Sequence, residues 1–160
     1  MTIKVGDKIP SVTVNTMTED GPDAVSTDDF FAGKKVAIFG VPGAFTPTCS
    51  AKHLPGFVSN ADALKAKGID TIACISVNDP FVMGAWGKDQ GVGDKVTMLA
   101  DGSAKFATAT GLELDLVEKG LGVRCQRFSM IVEDGTVKSV NIDAAGTFEK
   151  TSAESMLGEL

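Results

Sequence analysis

Short apolar runs alternate with longer stretches of mixed polarity along most of the chain. Val36 to Val41 (VAIFGV), Asp70 to Val77 (DTIACISV) and Val96 to Leu99 (VTML) are the clearest runs. Each places apolar residues at consecutive positions over a short span, the pattern of a strand buried on both faces. The segments between them predict helices. Pro47 to Lys67 follows the first run. Asp79-Pro80 opens a second helix, with Asp as N-cap and Pro at the first helical position. Ser103 is placed to cap a third, Ala104 to Thr110, which Gly111 closes.

Strand, helix, strand, helix, strand in that order predicts an α/β sheet with right-handed crossovers. The pattern then changes. Arg127 to Val132 and Thr136 to Ile142 flank Glu133-Asp134-Gly135, a hairpin signal. Thr151-Ser152-Ala153-Glu154 reads as a capping box for a last helix. Ahead of Val36 the chain predicts an added strand or hairpin and a short helix around Asp28 to Ala32. The expected class is therefore α/β: a thioredoxin-like arrangement with an N-terminal extension and a C-terminal hairpin plus helix. With 160 residues and no linker or repeat, it reads as one domain over residues 1–160.

Composition narrows the function. Lys and Arg number 15 against 21 Asp and Glu, a formal charge of -6, and no basic run interrupts the acidity. Such a chain is a poor partner for nucleic acid and for an anionic membrane surface. No apolar run reaches the ~18 residues of a membrane span. The first eight residues hold no apolar stretch of signal-peptide length, which predicts a cytosolic protein. Three cysteines are too few, and odd in number, for a secreted disulfide framework. In a reducing compartment they are thiols, inert or chemical.

The segment Val41-Pro42-Gly43-Ala44-Phe45-Thr46-Pro47-Thr48-Cys49 follows a buried strand and opens a helix, where α/β sheets place ligands. Thr46 is positioned as N-cap and Pro47 as first helical residue. Cys49 then lies in the first turn, where unpaired backbone N–H groups and the helix dipole favour a thiolate. Thr46 can donate its hydroxyl to the sulfur or to an oxygen bound beside it. Pro42, Pro47 and Phe45 stiffen the loop and exclude water. His53, the only histidine, falls four residues later on the same face. It reads either as a base, with no third group to orient it, or as a packing residue at the kink that Pro55 predicts. Arg124 precedes a strand and can bring a guanidinium to Cys49, favouring the thiolate and polarising an incoming oxygen. Arg127 is offset by three, so within one strand the two arginines face opposite ways and only one reaches a given site. Cys74 is either an inert strand residue or a thiol that resolves Cys49. Cys125 has a cationic neighbour able to lower its pKa.

Other chemistries lose support. A zinc site lacks a Cys-x-x-Cys pair and a second His. A dithiol oxidoreductase wants Cys at position 52, which is Lys52. A cysteine phosphatase wants Arg at position 55, which is Pro55. No glycine-rich nucleotide motif follows a strand.

Val41 to Ser50 (VPGAFTPTCS) resembles the active-site signature of the type II, peroxiredoxin-5-like, peroxiredoxins. The likeness continues through His53-Leu54-Pro55-Gly56-Phe57, Ser76 to Phe81, Gly122-Val123-Arg124 and Arg127 to Met130, and spans essentially the whole chain. The resemblance implies a thioredoxin fold and a peroxidase that needs no cofactor. Cys49 would be the peroxidatic thiolate, attacking hydrogen peroxide or a small alkyl hydroperoxide and becoming a sulfenic acid. Pro42 would shield the sulfur, and Thr46 and Arg124 would hold the peroxide oxygens. It also implies a homodimer joined on the active-site side. No cysteine follows Cys125, so a C-terminal resolving thiol is absent. Either Cys74 resolves Cys49 after local unwinding, or an external thiol does so: glutathione with glutaredoxin, or thioredoxin. The external route is the expectation, with Cys74 structural.

Overall fold

The computed structural model describes residues 1–160. Its central sheet has seven strands. They are β1 (Thr13–Thr18), β2 (Gly21–Ser26), β3 (Lys35–Gly40), β4 (Thr71–Ser76), β5 (Thr97–Ala100), β8 (Arg127–Glu133) and β9 (Thr136–Asp143). Their order across the sheet is β2-β1-β5-β4-β3-β8-β9. The three apolar runs form the parallel centre β5-β4-β3, and antiparallel pairs extend it on both sides. A separate hairpin pairs β6 (Glu113–Leu116) with β7 (Gly122–Cys125).

Helices cover both faces. After α1 (Thr27–Phe31) come α2 (Leu54–Ser59), α3 (Ala61–Ala66), α4 (Pro80–Asp89), α5 (Lys105–Thr110) and α6 (Ala153–Glu159). Alternation along β3 divides the core between them. Phe39 packs with Leu54, Phe57, Cys74 and Trp86 on one side. Ile38 packs with Phe106, Cys125 and Phe128 on the other. The thioredoxin-like α/β architecture expected from the pattern is the one observed, with β1, β2 and α1 as its N-terminal extension.

Several local expectations are refined. Asp79 caps α4 as predicted, its carboxylate accepting from the Val82 amide at 2.8 Å. Asp134 and Gly135 both have positive φ, 48° and 79°, the turn that a two-residue hairpin loop requires. Ser103 does not cap α5. The buried Asp101 carboxylate does, accepting from the Phe106 and Ala107 amides at 3.1 and 2.9 Å. A full carboxylate arriving from the end of β5 outcompetes the nearer hydroxyl. In the last helix Ser152, not Thr151, is the N-cap, accepting from the Ser155 amide at 3.1 Å. The Thr151 hydroxyl turns inward to Asp143 at 2.7 Å instead. The predicted helix from Pro47 to Lys67 is broken into pieces. Cys49–His53 is a widened π-turn, α2 follows it, and Asn60 separates α2 from α3.

Candidate active site

Cys49 sits at the carboxyl end of β3, behind a loop whose shape is fixed from several directions. The Ala44 amide donates to Asn78 Oδ1 at 3.0 Å. The Ser76 hydroxyl lies 2.6 Å from that same oxygen and 3.1 Å from the Val41 carbonyl. The end of β4 thereby holds the loop that β3 feeds. Phe45 adopts φ 63°, a conformation costly for a bulky residue. A Cβ at Gly43 would lie 2.8 Å from Arg124 Nη1 and 3.1 Å from Thr46 Cγ2, so a side chain there would press on both groups.

The helix begins as the sequence suggests, with one difference. The Ser50 amide bonds to the Thr46 carbonyl at 2.9 Å, so Thr46 accepts the first helical bond through its backbone. Its hydroxyl does not cap. It donates to the Gly43 carbonyl at 2.7 Å, leaving the oxygen lone pairs as acceptors. The turn then widens: the Leu54 amide reaches back five residues to the Cys49 carbonyl. The kink expected from Pro55 takes this form, immediately ahead of the residue that has no N–H to give.

Cys49 and His53 are fully buried, and Arg127 almost so. Arg127 Nη2 donates to Cys49 Sγ at 3.2 Å. Its Nη1 donates to His53 Nδ1 at 2.8 Å, and His53 Nε2 lies 2.9 Å from the Thr151 carbonyl. Burial, then the adjacent Arg127 charge, push His53 down to about 3, so the ring is neutral near pH 7. Asp143 anchors the segment carrying Thr151, accepting from the Glu149 and Lys150 amides as well as from the Thr151 hydroxyl. Burial works to raise its carboxyl, but these bonds prevail and hold it below the usual range.

The guanidinium at the sulfur is thus that of Arg127. Arg124 donates from Nε to the Leu121 carbonyl at 2.7 Å and from Nη1 to the Pro42 carbonyl at 3.3 Å, bracing the loop. The expectation that the two arginines face opposite ways assumed one strand. Gln126 separates β7 from β8, its amide donating to the Leu112 carbonyl, and both arginines come to the same end of the sheet. One signal in the sequence pointed to Arg127. It heads FSMIV, a run apolar but for Ser129, and a charge at the start of a buried strand needs a partner.

A cleft of about 430 Å³ opens over this arrangement, lined among others by Pro42, Thr46, Leu114, Leu116, Leu121 and Arg127. Cys74 lies in the middle of β4, wholly buried in the same apolar cluster as Cys49, and burial pushes its thiol well up. Cys125 belongs to the opposite cluster. Its cationic neighbour does not lower it: burial, then the nearby Asp101 and Glu113 carboxylates, push it up. Chemically, the site offers one sulfur with a fixed cation, a hydroxyl acceptor and a cleft of small-molecule size.

Residues 4–157 match the family model described as Redoxin. The chain is 52% identical over 162 residues to Peroxiredoxin-2E, chloroplastic, of Arabidopsis thaliana, covering 99% of this chain and 69% of that protein. It is 50% identical over 159 residues to Peroxiredoxin-2B of the same plant, covering 99% and 98% of the two chains. A crystal structure of reduced Prx3 from Vibrio vulnificus in complex with hydrogen peroxide superimposes with a TM-score of 0.95. It is 47% identical and 99% of each chain is covered.

Proposed function

Because this chain belongs to the redoxin family, and within it to the type II peroxiredoxins, it is a thiol-dependent peroxidase acting through cysteine, and we propose that Cys49 is the cysteine that reacts. The observation that carries this reading is the 3.2 Å contact from Arg127 Nη2 to Cys49 Sγ at the head of a helix. A fixed cation stabilises the ionised sulfur, and the thiolate is the nucleophile.

In the peroxide step a sulfur lone pair attacks one oxygen of the hydroperoxide. An S–O bond forms, the O–O bond breaks, and the leaving oxygen departs with the bonding pair and takes a proton from water in the open cleft, replacing the one that Cys49 gave to solvent on ionising. The products are a sulfenic acid on Cys49 and water or an alcohol. Arg127 faces the charge as it moves from sulfur to the leaving oxygen. The Thr46 hydroxyl, its own hydrogen committed to Gly43, accepts the hydrogen of the peroxide O–H. Pro42 screens the sulfur from water, and Arg124 holds the Pro42 carbonyl. Leu114, Leu116 and Leu121 give the cleft an apolar wall suited to small alkyl hydroperoxides as well as hydrogen peroxide.

Recycling proceeds through an external thiol, glutathione with glutaredoxin or thioredoxin. One thiol condenses with the sulfenic acid to a mixed disulfide and water, and a second releases Cys49. Supporting this route, Cys74 is locked in a central strand with both neighbours paired. We place the protein in a reducing compartment, the cytosol, because its chemistry needs a free thiol. It works as a homodimer that covers Phe45 of the Cys49 loop together with Leu121 and Val123 beside Arg124, all of them exposed. The test is peroxide consumption with a thiol reductant by wild type and Cys49→Ser. Activity disappears with the sulfur, and equal rates would overturn the assignment. Sedimentation of the reduced protein reads the dimer directly.

A further inference from the structure

We propose that His53 is a positioning residue for the peroxide step, aiming the Arg127 guanidinium at Cys49 by accepting its second N–H. This deepens the reading of Cys49 as the reacting thiol and rests on it.

The hydrogen-bond partners of the imidazole settle where its proton sits. A guanidinium only donates, so Nδ1, 2.8 Å from Arg127 Nη1, carries a lone pair. A backbone carbonyl only accepts, so Nε2, 2.9 Å from the Thr151 oxygen, carries the hydrogen. The ring is therefore neutral and held in a single tautomer. It also has no lone pair left with which to take a proton from Cys49, which excludes the general-base role that its spacing suggested.

What the ring does is fix direction. Arg127 is buried between Cys49 and His53, with one Nη committed to each. A planar guanidinium bonded at two points cannot turn about its last side-chain bond. Remove the Nδ1 acceptor and a buried charged donor is unpaired, so the guanidinium swings towards whatever acceptor it can find. The His53 ring is itself immobilised. The Phe39, Phe148 and Phe57 rings surround it at centroid distances of 4.8, 5.0 and 5.7 Å. Phe148 also faces the Arg127 guanidinium at 5.6 Å. Behind Thr151 stands Asp143, whose carboxylate pins the backbone of Glu149 and Lys150 and the Thr151 hydroxyl. The approach geometry at the sulfur is thus set from the far end of β9, through Thr151, His53 and Arg127 in turn.

The chain has one histidine, so its imidazole ¹⁵N resonances need no assignment. We expect the neutral Nε2–H tautomer from pH 5 to pH 8. Stopped-flow oxidation by hydrogen peroxide gives the second measurement. His53→Leu, apolar and compatible with the phenylalanine cage, slows Cys49 oxidation by about tenfold or more, as losing an outer-layer orienting bond does elsewhere. His53→Asn, whose Oδ1 takes the place of Nδ1, recovers most of that rate. In an Arg127→Gln background His53→Leu changes the rate by less than about twofold, because its effect is exerted through the arginine. A proton on Nδ1, or an equal slowing with and without Arg127, overturns the proposal. Should the leucine variant not fold, the nitrogen spectrum and the asparagine variant still decide. Cys49→Ser retaining peroxide consumption would instead sink the underlying reading and leave the tautomer result standing.

Discussion

Arg127 reaches the Cys49 sulfur and Arg124 reaches the Pro42 carbonyl, two cations three residues apart serving the same loop from two strands. Their contributions differ in kind. Arg127 faces the atom whose charge changes, and Arg124 faces a backbone dipole at the rim. Arg127→Gln is expected to lower the second-order rate of Cys49 oxidation by about 10²–10³, the usual cost of removing a donor aimed at developing charge. Arg124→Ala loosens the loop and costs about tenfold or less. Stopped-flow rates with hydrogen peroxide rank the two. An inverted order would place the working cation at position 124, as family resemblance implied.

Thr46 donates its only hydroxyl hydrogen to Gly43, so its remaining capacity is to accept. Thr46→Ser preserves both functions and stays within about threefold of the wild-type rate. Thr46→Val keeps the shape, removes the acceptor and the Gly43 bond together, and lowers the peroxide rate by roughly 10–100-fold. Equal rates for the serine and valine variants would remove the hydroxyl from the reaction.

Cys74 is wholly buried in β4, whose residues pair with β3 on one side and β5 on the other. Cys74→Ala therefore leaves the peroxide step unchanged and sustains turnover with glutathione and glutaredoxin. Mass spectrometry after one equivalent of peroxide and glutathione finds the adduct on Cys49. A Cys49–Cys74 disulfide as the main product would establish internal resolution instead.

The His53 ring gives stability a pH dependence of definite sign. Its value is depressed to about 3 when folded, against 6.5 unfolded. Between those values the unfolded chain binds the extra proton, so stability rises with pH there and is lost as pH falls from about 6.5 towards 3. The slope from this one group is at most about 1.4 kcal/mol per pH unit. Asp143, held low in the fold, adds loss in the same direction at its acidic end. Urea unfolding of wild type and His53→Asn at pH 4, 5, 6 and 7 separates the two. Wild type loses stability relative to the variant as the pH drops, and parallel curves would show that the ring does not stay neutral.

The central strands were legible because consecutive apolar residues mean burial on both faces whatever the neighbours are. The Cys49 segment was legible because proline, a small polar residue and the strand before it act locally. The failures share a cause, which is distance along the chain. Ser103 loses the α5 cap to Asp101 because a strand end delivers a carboxylate to the helix. Thr151 leaves the last capping position because Asp143 holds its hydroxyl. The single-strand offset set Arg127 against Arg124 because the break at Gln126 depends on a bond to Leu112, and spacing cannot register a change of strand. The π-turn is a shift in backbone pairing that leaves no mark on side-chain identity beyond the proline that follows it.

Gly40 tests how tightly the sheet and the site are coupled. It is the last residue of β3 and lies directly across from Phe128 of β8, the neighbour of Arg127. A Cβ on Gly40 would overlap Phe128 Cε1, so the phenyl ring occupies the space a side chain would need. That ring is wholly buried in the core beneath the sheet and has nowhere to retreat. Gly40→Ala must therefore displace Phe128, and with it the start of β8. Overpacking of this kind costs about 1–3 kcal/mol. Because the displaced strand carries Arg127, the peroxide rate falls as well, although position 40 touches no reacting atom. Phe128→Leu in the Gly40→Ala background makes room for the added methyl and restores part of both stability and rate. Chemical denaturation and stopped-flow oxidation of the two variants read these together. Lost stability with an unchanged rate would show that Arg127 is held by His53 and Cys49 alone, independent of where its strand begins.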